Sequence, residues 1–175
     1  MGQHLVSFPS LYVKFDLTAE TLAGCSILSE CVNREAAIRA SLIVWTDTPN
    51  GLTQACEVSL HPDVDYVVIK APTLDGNEIW IFAKELQIQV ERAAGFDVIS
   101  VPLMTLKAAS LHLQTVRHPL SDHKVPIQIS HQVTLQIGTG IVLKSAPLAE
   151  KIYVETVIAK LRRQGDLVAY LEAGA

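Results

Sequence analysis

The stretch VPIQISHQVTLQIG at 125–138 constrains the fold more than any other segment of the chain. Val125, Ile127, Ile129, His131, Val133, Leu135 and Ile137 share one parity, while Pro126, Gln128, Ser130, Gln132, Thr134 and Gln136 share the other. Successive side chains of a strand point to opposite faces, so the pattern predicts a long strand with one apolar face and one uncharged polar face. Pro126 cannot donate to a ladder and suits the beginning of an edge strand. Gly138-Thr139-Gly140 then predicts a turn into a further strand at 141–144.

Other segments repeat this logic. Residues 5–17, 54–60, 66–70 and 78–90 read as strands, and Asn50-Gly51 and Asp75-Gly76 as turns. In 86–90, Leu86, Ile88 and Val90 alternate with Gln87 and Gln89, which extends the strand reading. Residues 96–101 and parts of 106–116 add shorter candidates, with lost parity near Ala109 to Leu111 suggesting a bulge. Two segments have the helical period instead. Leu22, Ile27, Leu28, Cys31 and Val32 predict a helix over 18–39, capped by Thr18 and open to division at Gly24 or Asn33. Leu148, Ile152, Val157, Ile158 and Leu161 predict a terminal helix closed by Gly165, with 167–171 either extending it or docking separately.

The expected architecture is therefore α+β: a predominantly antiparallel β-sheet curving toward a barrel, an N-terminal helical region and a C-terminal packing helix. No compositional break or internal repeat divides residues 1–175, so one domain is expected. At 49% hydrophobic and 18% charged residues, the chain has material for one sizeable core, which excludes a disordered or collagen-like polypeptide. The formal charge of −4 supplies no general attraction to a phosphate backbone, and this disfavours nucleic acid as a partner. Three cysteines cannot all pair within the chain, which suggests a reducing, cytoplasmic setting. No apolar run reaches membrane-spanning length, and Val6 stands where an N-acylation signal would need Ser or Thr.

Several residues have the chemistry for a site. In an extended segment His61, Asp63 and Asp65 share one side and supply imidazole and carboxylate ligands for a metal, although Pro62 and the aspartates equally make a strand-entry turn. His118 and His123 flank a short turn containing Asp122 and form a second metal candidate, to which His112 and His131 could add ligands from neighbouring strands. As a hydrolytic set, His131 is the proton acceptor, with His118 and Asp122 completing a polar site. Trp80 and Phe82 share a parity and suit the wall of a small-molecule pocket as well as a core. Gly138-Thr139-Gly140 lacks the following Lys-Ser/Thr of a phosphate loop, and no cysteine sits in a reactive motif. The residues 161–164, LRRQ, offer a local basic patch at a helix end.

No complete catalytic or cofactor signature emerges, so no cofactor is expected. The favoured expectation is a noncatalytic protein-interaction, adaptor or assembly module, recognising a protein partner or a second copy of itself. It would use a sheet edge or the polar contacts of Gln128, Gln132 and Gln136. The alternative is a small-molecule-binding protein or hydrolase with a cavity beneath the helices and a His/Asp polar site.

Overall fold

The computed structural model describes residues 10–73, 76–111, 114–146 and 154–171. Ten strands form one mixed sheet: β1 (Ser10–Leu17), β2 (Arg39–Thr46), β3 (Ala55–Leu60), β4 (Asp65–Thr73), β5 (Gly76–Ala83), β6 (Met104–Lys107), β7 (Thr115–Arg117), β8 (Lys124–Ile129), β9 (Ile141–Ser145) and β10 (Leu167–Leu171). The helices are α1 (Ala19–Ala23), α2 (Ser26–Arg34), α3 (Gln87–Ala93) and α4 (Val154–Gln164).

The sheet order β1-β7-β8-β3-β9-β2 closes on itself because β1 also pairs with β2, from Leu11↔Thr46 to Asp16↔Ser41. Closure works by sharing edges. Along its other edge β2 pairs with β5 over Arg39 to Leu42 and then with β9 at Trp45. β1 likewise pairs with β10 at its start and β7 at its end. A six-strand ring results, with β5-β4-β6 and β10 branching from it. The antiparallel expectation is corrected to a mixed sheet, since β2–β5, β2–β9 and β3–β8 are parallel.

This geometry buries the central strands on both faces. Leu11, Phe15, Leu42, Ile43, Val58, Leu60, Ile127 and Ile141 are fully buried. The second face of β1 is buried as well as the first: Tyr12 is 5% and Lys14 7% exposed. Lys14 tolerates this through an ion pair at 2.9 Å with buried Glu78, whose Oε1 also accepts from Trp80 Nε1 at 3.0 Å.

The long strand expected over 125–138 ends at Ile129. Ser130 and Thr134 hydroxyls accept from the main-chain amides of Gln132 and Gln136, each at 3.1 Å, and these local bonds replace ladder bonds with turns. The strand expected through 86–90 is also corrected. Leu86 and Val90, four residues apart, form the buried side of α3, and Ile88 turns to solvent. The segment 96–101 is an exposed loop whose Ser100 is held by Glu91 and Gln87. The N-terminal helix divides at Gly24 into α1 and α2, with Thr18 accepting from the Thr21 amide as its cap. Residues 167–171 dock on β1 as β10 rather than extending α4.

Gly138 shows how tightly the ring is closed. It has φ +89°, and a Cβ there would stand 2.7 Å from the Trp45 ring. Gly95 has nearly the same φ, +88°, but faces open space. Gly138→Ala should cost about 2–4 kcal/mol, strain plus overpacking, and Gly95→Ala only about 1 kcal/mol of strain. Urea unfolding of the two variants measures the difference; equal costs would contradict the packing argument.

Candidate functional site

The structure keeps His118 beside His123 and His61 beside Asp63, but places His131 with the second pair. His118 is fully buried in the short connection after β7. Its Nε2 lies 2.6 Å from the Leu52 carbonyl, and its Nδ1 accepts from the amides of Leu120 at 3.1 Å and Ser121 at 3.3 Å. The ring is thereby a neutral Nε2–H donor with its single lone pair occupied. Burial pushes its pKa down, with His123 and Lys160 adding in the same direction against the bond to Leu52. This corrects the expectation of a catalytic or metal-binding His118: the ring fastens the Pro49–Gln54 turn to the β7–β8 connection. His123 stacks on it with centroids 5.0 Å apart and hydrogen-bonds Ser121 Oγ. Asp122 is exposed and faces Arg117 at 3.5 Å. His112 lies outside the described residues.

His131 also departs from its expected place, since it sits on the exposed turn after β8 and not on an apolar strand face. There it meets the other cluster. Its Nδ1 is 3.9 Å from Asp63 Oδ2, and its ring is edge-on to His61 with centroids 5.5 Å apart. Asp65 does not join them; it starts β4 and pairs with Lys107 at 2.7 Å, which holds its carboxyl below the usual range.

Gln128 and Gln132 line a groove of about 600 Å³ with Glu57, Ser59, Ser130 and Lys144. Gln136 is exposed in the turn beyond β8, so the three glutamines do not share a strand face. Trp80 and Phe82 are core residues, 3% and 0% exposed, and Trp80 stacks on Phe96 at 5.3 Å. That packing removes them from the pocket wall they were expected to form.

A second cleft, of about 510 Å³, is lined by opposed charges including Lys14, Asp16, Arg39, Arg117 and Asp166. Apart from Lys14, which pairs with Glu78, these groups satisfy one another. Asp16 Oδ1 accepts from Arg39 Nη2 and Ser41 Oγ, both at 2.6 Å, while Asp166 Oδ1 is 2.5 Å from Arg39 Nη2. Burial still pushes the Asp166 carboxyl up against the pull of Arg39. The network ties β1 and β2 to Asp166, at the start of the chain into β10.

The turn that sequence reasoning passed over as simple punctuation gathers a set of hydroxyls. It leaves β2 at Thr46 and continues as a short 3₁₀ helix, Pro49–Gln54. Thr46 Oγ1 lies 3.1 Å from Thr48 Oγ1 and accepts from the Thr48 amide at 3.1 Å. Ser145, at the end of β9, donates to the Gly51 carbonyl at 2.7 Å. Asp47, between the threonines, supplies a carboxylate to the turn. Thr53 opens onto a pocket of about 250 Å³ shared with Leu120, Ser121, Thr156, Val157 and Lys160. Such a space lies below the roughly 300–1,000 Å³ of drug-sized ligand sites and suits a group no larger than one amino-acid side chain. The signal in the sequence was the run Thr46-Asp47-Thr48 before Pro49, hydroxyls and a carboxylate at a strand end.

The P. knowlesi cytosolic leucyl-tRNA synthetase editing domain superposes with a TM-score of 0.61, over 81% of this chain and 60% of that one, at 13% identity. The corresponding P. falciparum domain gives 0.59 over 78% and 61%, at 12% identity. The chain has the fold of a synthetase editing domain. In sequence it is 34% identical to isoleucine–tRNA ligase of Geobacter sulfurreducens over 136 residues, 77% of this chain and 13% of that protein. It is 32% identical to the Petrotoga mobilis ligase over 133 residues, 76% of this chain and 12% of that protein. The chain therefore spans only a small part of the ligases it matches. No protein-family model matches it.

These likenesses correct the functional expectation. Relatives that are tRNA ligases, together with an editing-domain fold, overturn the noncatalytic adaptor or assembly reading and its preference for a protein partner or homo-oligomer. They also overturn the argument against nucleic acid. Net charge describes the whole surface, whereas an interface needs only a local patch such as exposed Lys160, Arg162 and Arg163 on α4. Among the described residues, no helix is long and apolar enough to cross a membrane.

The His118 bonds predict an acid limit to stability. Its folded pKa lies below the ordinary 6.5, so its contribution is present above that value and is lost as pH falls through the folded pKa. The midpoint of thermal unfolding should drop between pH 7 and 5, and His118→Gln should flatten that slope while lowering stability at pH 7. An unchanged slope in the variant would contradict the assignment.

Proposed function

We propose that this chain is a hydrolytic editing module: it receives the aminoacylated 3′ end of a tRNA and cleaves the ester joining the amino acid to the terminal ribose. Water adds to the ester carbonyl, the C–O bond to the ribose breaks, and free amino acid and a tRNA hydroxyl are released. The observation that carries this reading is the pairing of 34% identity to an isoleucine–tRNA ligase with the editing-domain fold.

The turn at Thr46–Gln54 suits the chemistry. Thr48 is the exposed hydroxyl, aimed by Thr46, and serves as a donor to the ester oxygen as negative charge develops there. Asp47 provides a carboxylate for the α-ammonium group of the substrate. The adjoining pocket, with Leu120 and Val157 in its wall, suits a small aliphatic side chain. Binding alone discriminates one methylene by only about 1–3 kcal/mol, which is why ligases for small apolar amino acids benefit from a second, hydrolytic site. Lys160, beside that pocket, and Arg163, one turn along the exposed face of α4, are placed for the phosphates of the acceptor strand.

The test is deacylation of tRNAs charged with alanine, valine, isoleucine or leucine by the purified chain. We expect release well above the uncatalysed rate for at least one of them, and a kcat about 100-fold lower for Thr48→Ala. Asp47→Asn should raise KM by about tenfold, the loss of a charge-assisted hydrogen bond. Lys160→Ala/Arg163→Ala should weaken tRNA binding and reduce its salt dependence, with the slope falling by roughly 0.7–0.9 per lost phosphate contact. No acceleration with any of the four substrates would overturn the proposal.

A further inference from the structure

We infer that His61, Asp63 and His131 form a binding site for one divalent transition-metal ion, zinc being the first candidate, which clamps the carboxyl ends of β3 and β8. This inference is independent of the editing reading, because it concerns the opposite end of the ring. Ala55 and Ser145 mark the end of the β3–β9 ladder next to the hydroxyl turn, whereas Leu60 and Ile141 mark the other.

Strand register creates the site. β3 and β8 run parallel with Leu60 opposite Ile129, and the ladder continues in a bond from the Ser130 amide to the Leu60 carbonyl at 2.9 Å. The residues just beyond, His61 and His131, therefore emerge side by side. The turn His61-Pro62-Asp63 brings the carboxylate round to them. One ligand atom from each of the three residues can be chosen so that all lie within 4.8 Å of one another. Small rotations of exposed side chains bring such atoms to the roughly 2.0–2.2 Å bond lengths of a zinc ion.

The backbone is fixed where it must be. Tyr66 is fully buried; its hydroxyl accepts from the His61 amide at 2.8 Å and donates to the Gly140 carbonyl at 2.7 Å. It thus links the His61 turn to the far end of the segment that carries His131. His61 Nδ1, like that of His118, already accepts an amide, but its ring is only partly buried and the bond lies at an exposed turn where it can be exchanged. The Asp63 amide donates to His61 Nδ1 at 3.0 Å, so the neutral ring carries its proton on Nε2 and its lone pair on Nδ1. A metal takes that lone pair in exchange for one exposed hydrogen bond, and the amide passes to solvent.

The donor set selects the ion. Two imidazoles and one carboxylate suit zinc, nickel or copper, whereas calcium and magnesium favour all-oxygen shells. Three protein ligands leave a position for water, and exposure of Asp63 and His131 points to an exchangeable ion rather than a sealed structural centre.

The test is calorimetric titration of the full chain with zinc chloride at pH 7.5, beside His61→Gln, His131→Gln, His123→Gln and Cys56→Ser. We expect one ion per chain, affinity at least about tenfold weaker in either His61 or His131 variant, and no change for His123→Gln or Cys56→Ser. Imidazole ¹⁵N spectra of the wild-type chain should show His61 bound through Nδ1 with Nε2 still protonated. These exposed substitutions leave the core intact, and amide spectra verify it. Absence of 1:1 binding, or binding that survives His131→Gln or is lost with His123→Gln or Cys56→Ser, would overturn the site.

Discussion

Everything in this fold depends on the pairing of β1 with β2. Without that ladder the order from β1 through β7, β8, β3 and β9 to β2 would be an open sheet. Two strands with six paired positions do not close a ring by hydrogen bonds alone. The Asp16–Arg39–Asp166 network, with Ser41 on the same carboxylate oxygen, clamps one end of the pair, and the Trp45 ring seated on Gly138 clamps the other. Breaking one partner of such a partly buried charge network strands the others, so the ion pairs act as a lock on geometry more than as a source of net stability.

The lock positions the hydroxyl turn. β2 ends between β1 and β9, and the chain must leave the ring there. Pro49 and the bond from Ser145 to Gly51 shape the exit, and His118 holds Leu52 from the β7–β8 side. Two separate segments thus fix one short loop. The proposed hydrolysis, relying on aimed hydroxyls and not on a strong base, needs this rigidity, since a donor misplaced by an ångström stabilises little developing charge.

Period and punctuation made much of the fold legible. Residues 10–17, 55–60 and 141–145 are strands as their apolar runs indicate, and α4 has Val157, Ile158 and Leu161 of its expected stripe and the closing Gly165, while Leu148 and Ile152 lie outside the described residues. The errors have physical causes. In 86–90, Leu86 and Val90 satisfy both a two-residue and a four-residue spacing, and only the tertiary setting decides. In 130–137, Ser130 and Thr134 capture amides two residues ahead, which parity counting ignores. Function was harder to read. Both nitrogens of His118 are consumed by a structural role that no spacing reveals, while Pro49–Gln54 looks like any polar turn until β9 and α4 are placed beside it. The closeness of His61 and His131, 70 residues apart in the chain, follows from a parallel register that the sequence does not display.

The central claim is that the amino-acid end of a charged tRNA lies in the turn beneath α4. The most direct measurement is an amide NMR titration with a nonhydrolysable aminoacyl-adenosine, its ester replaced by an amide. The account predicts shifts concentrated at Thr46, Asp47, Thr48, Thr53, Thr156 and Lys160. Shifts confined to the groove of Ser59, Gln128 and Gln132, or none at saturating ligand, would contradict it.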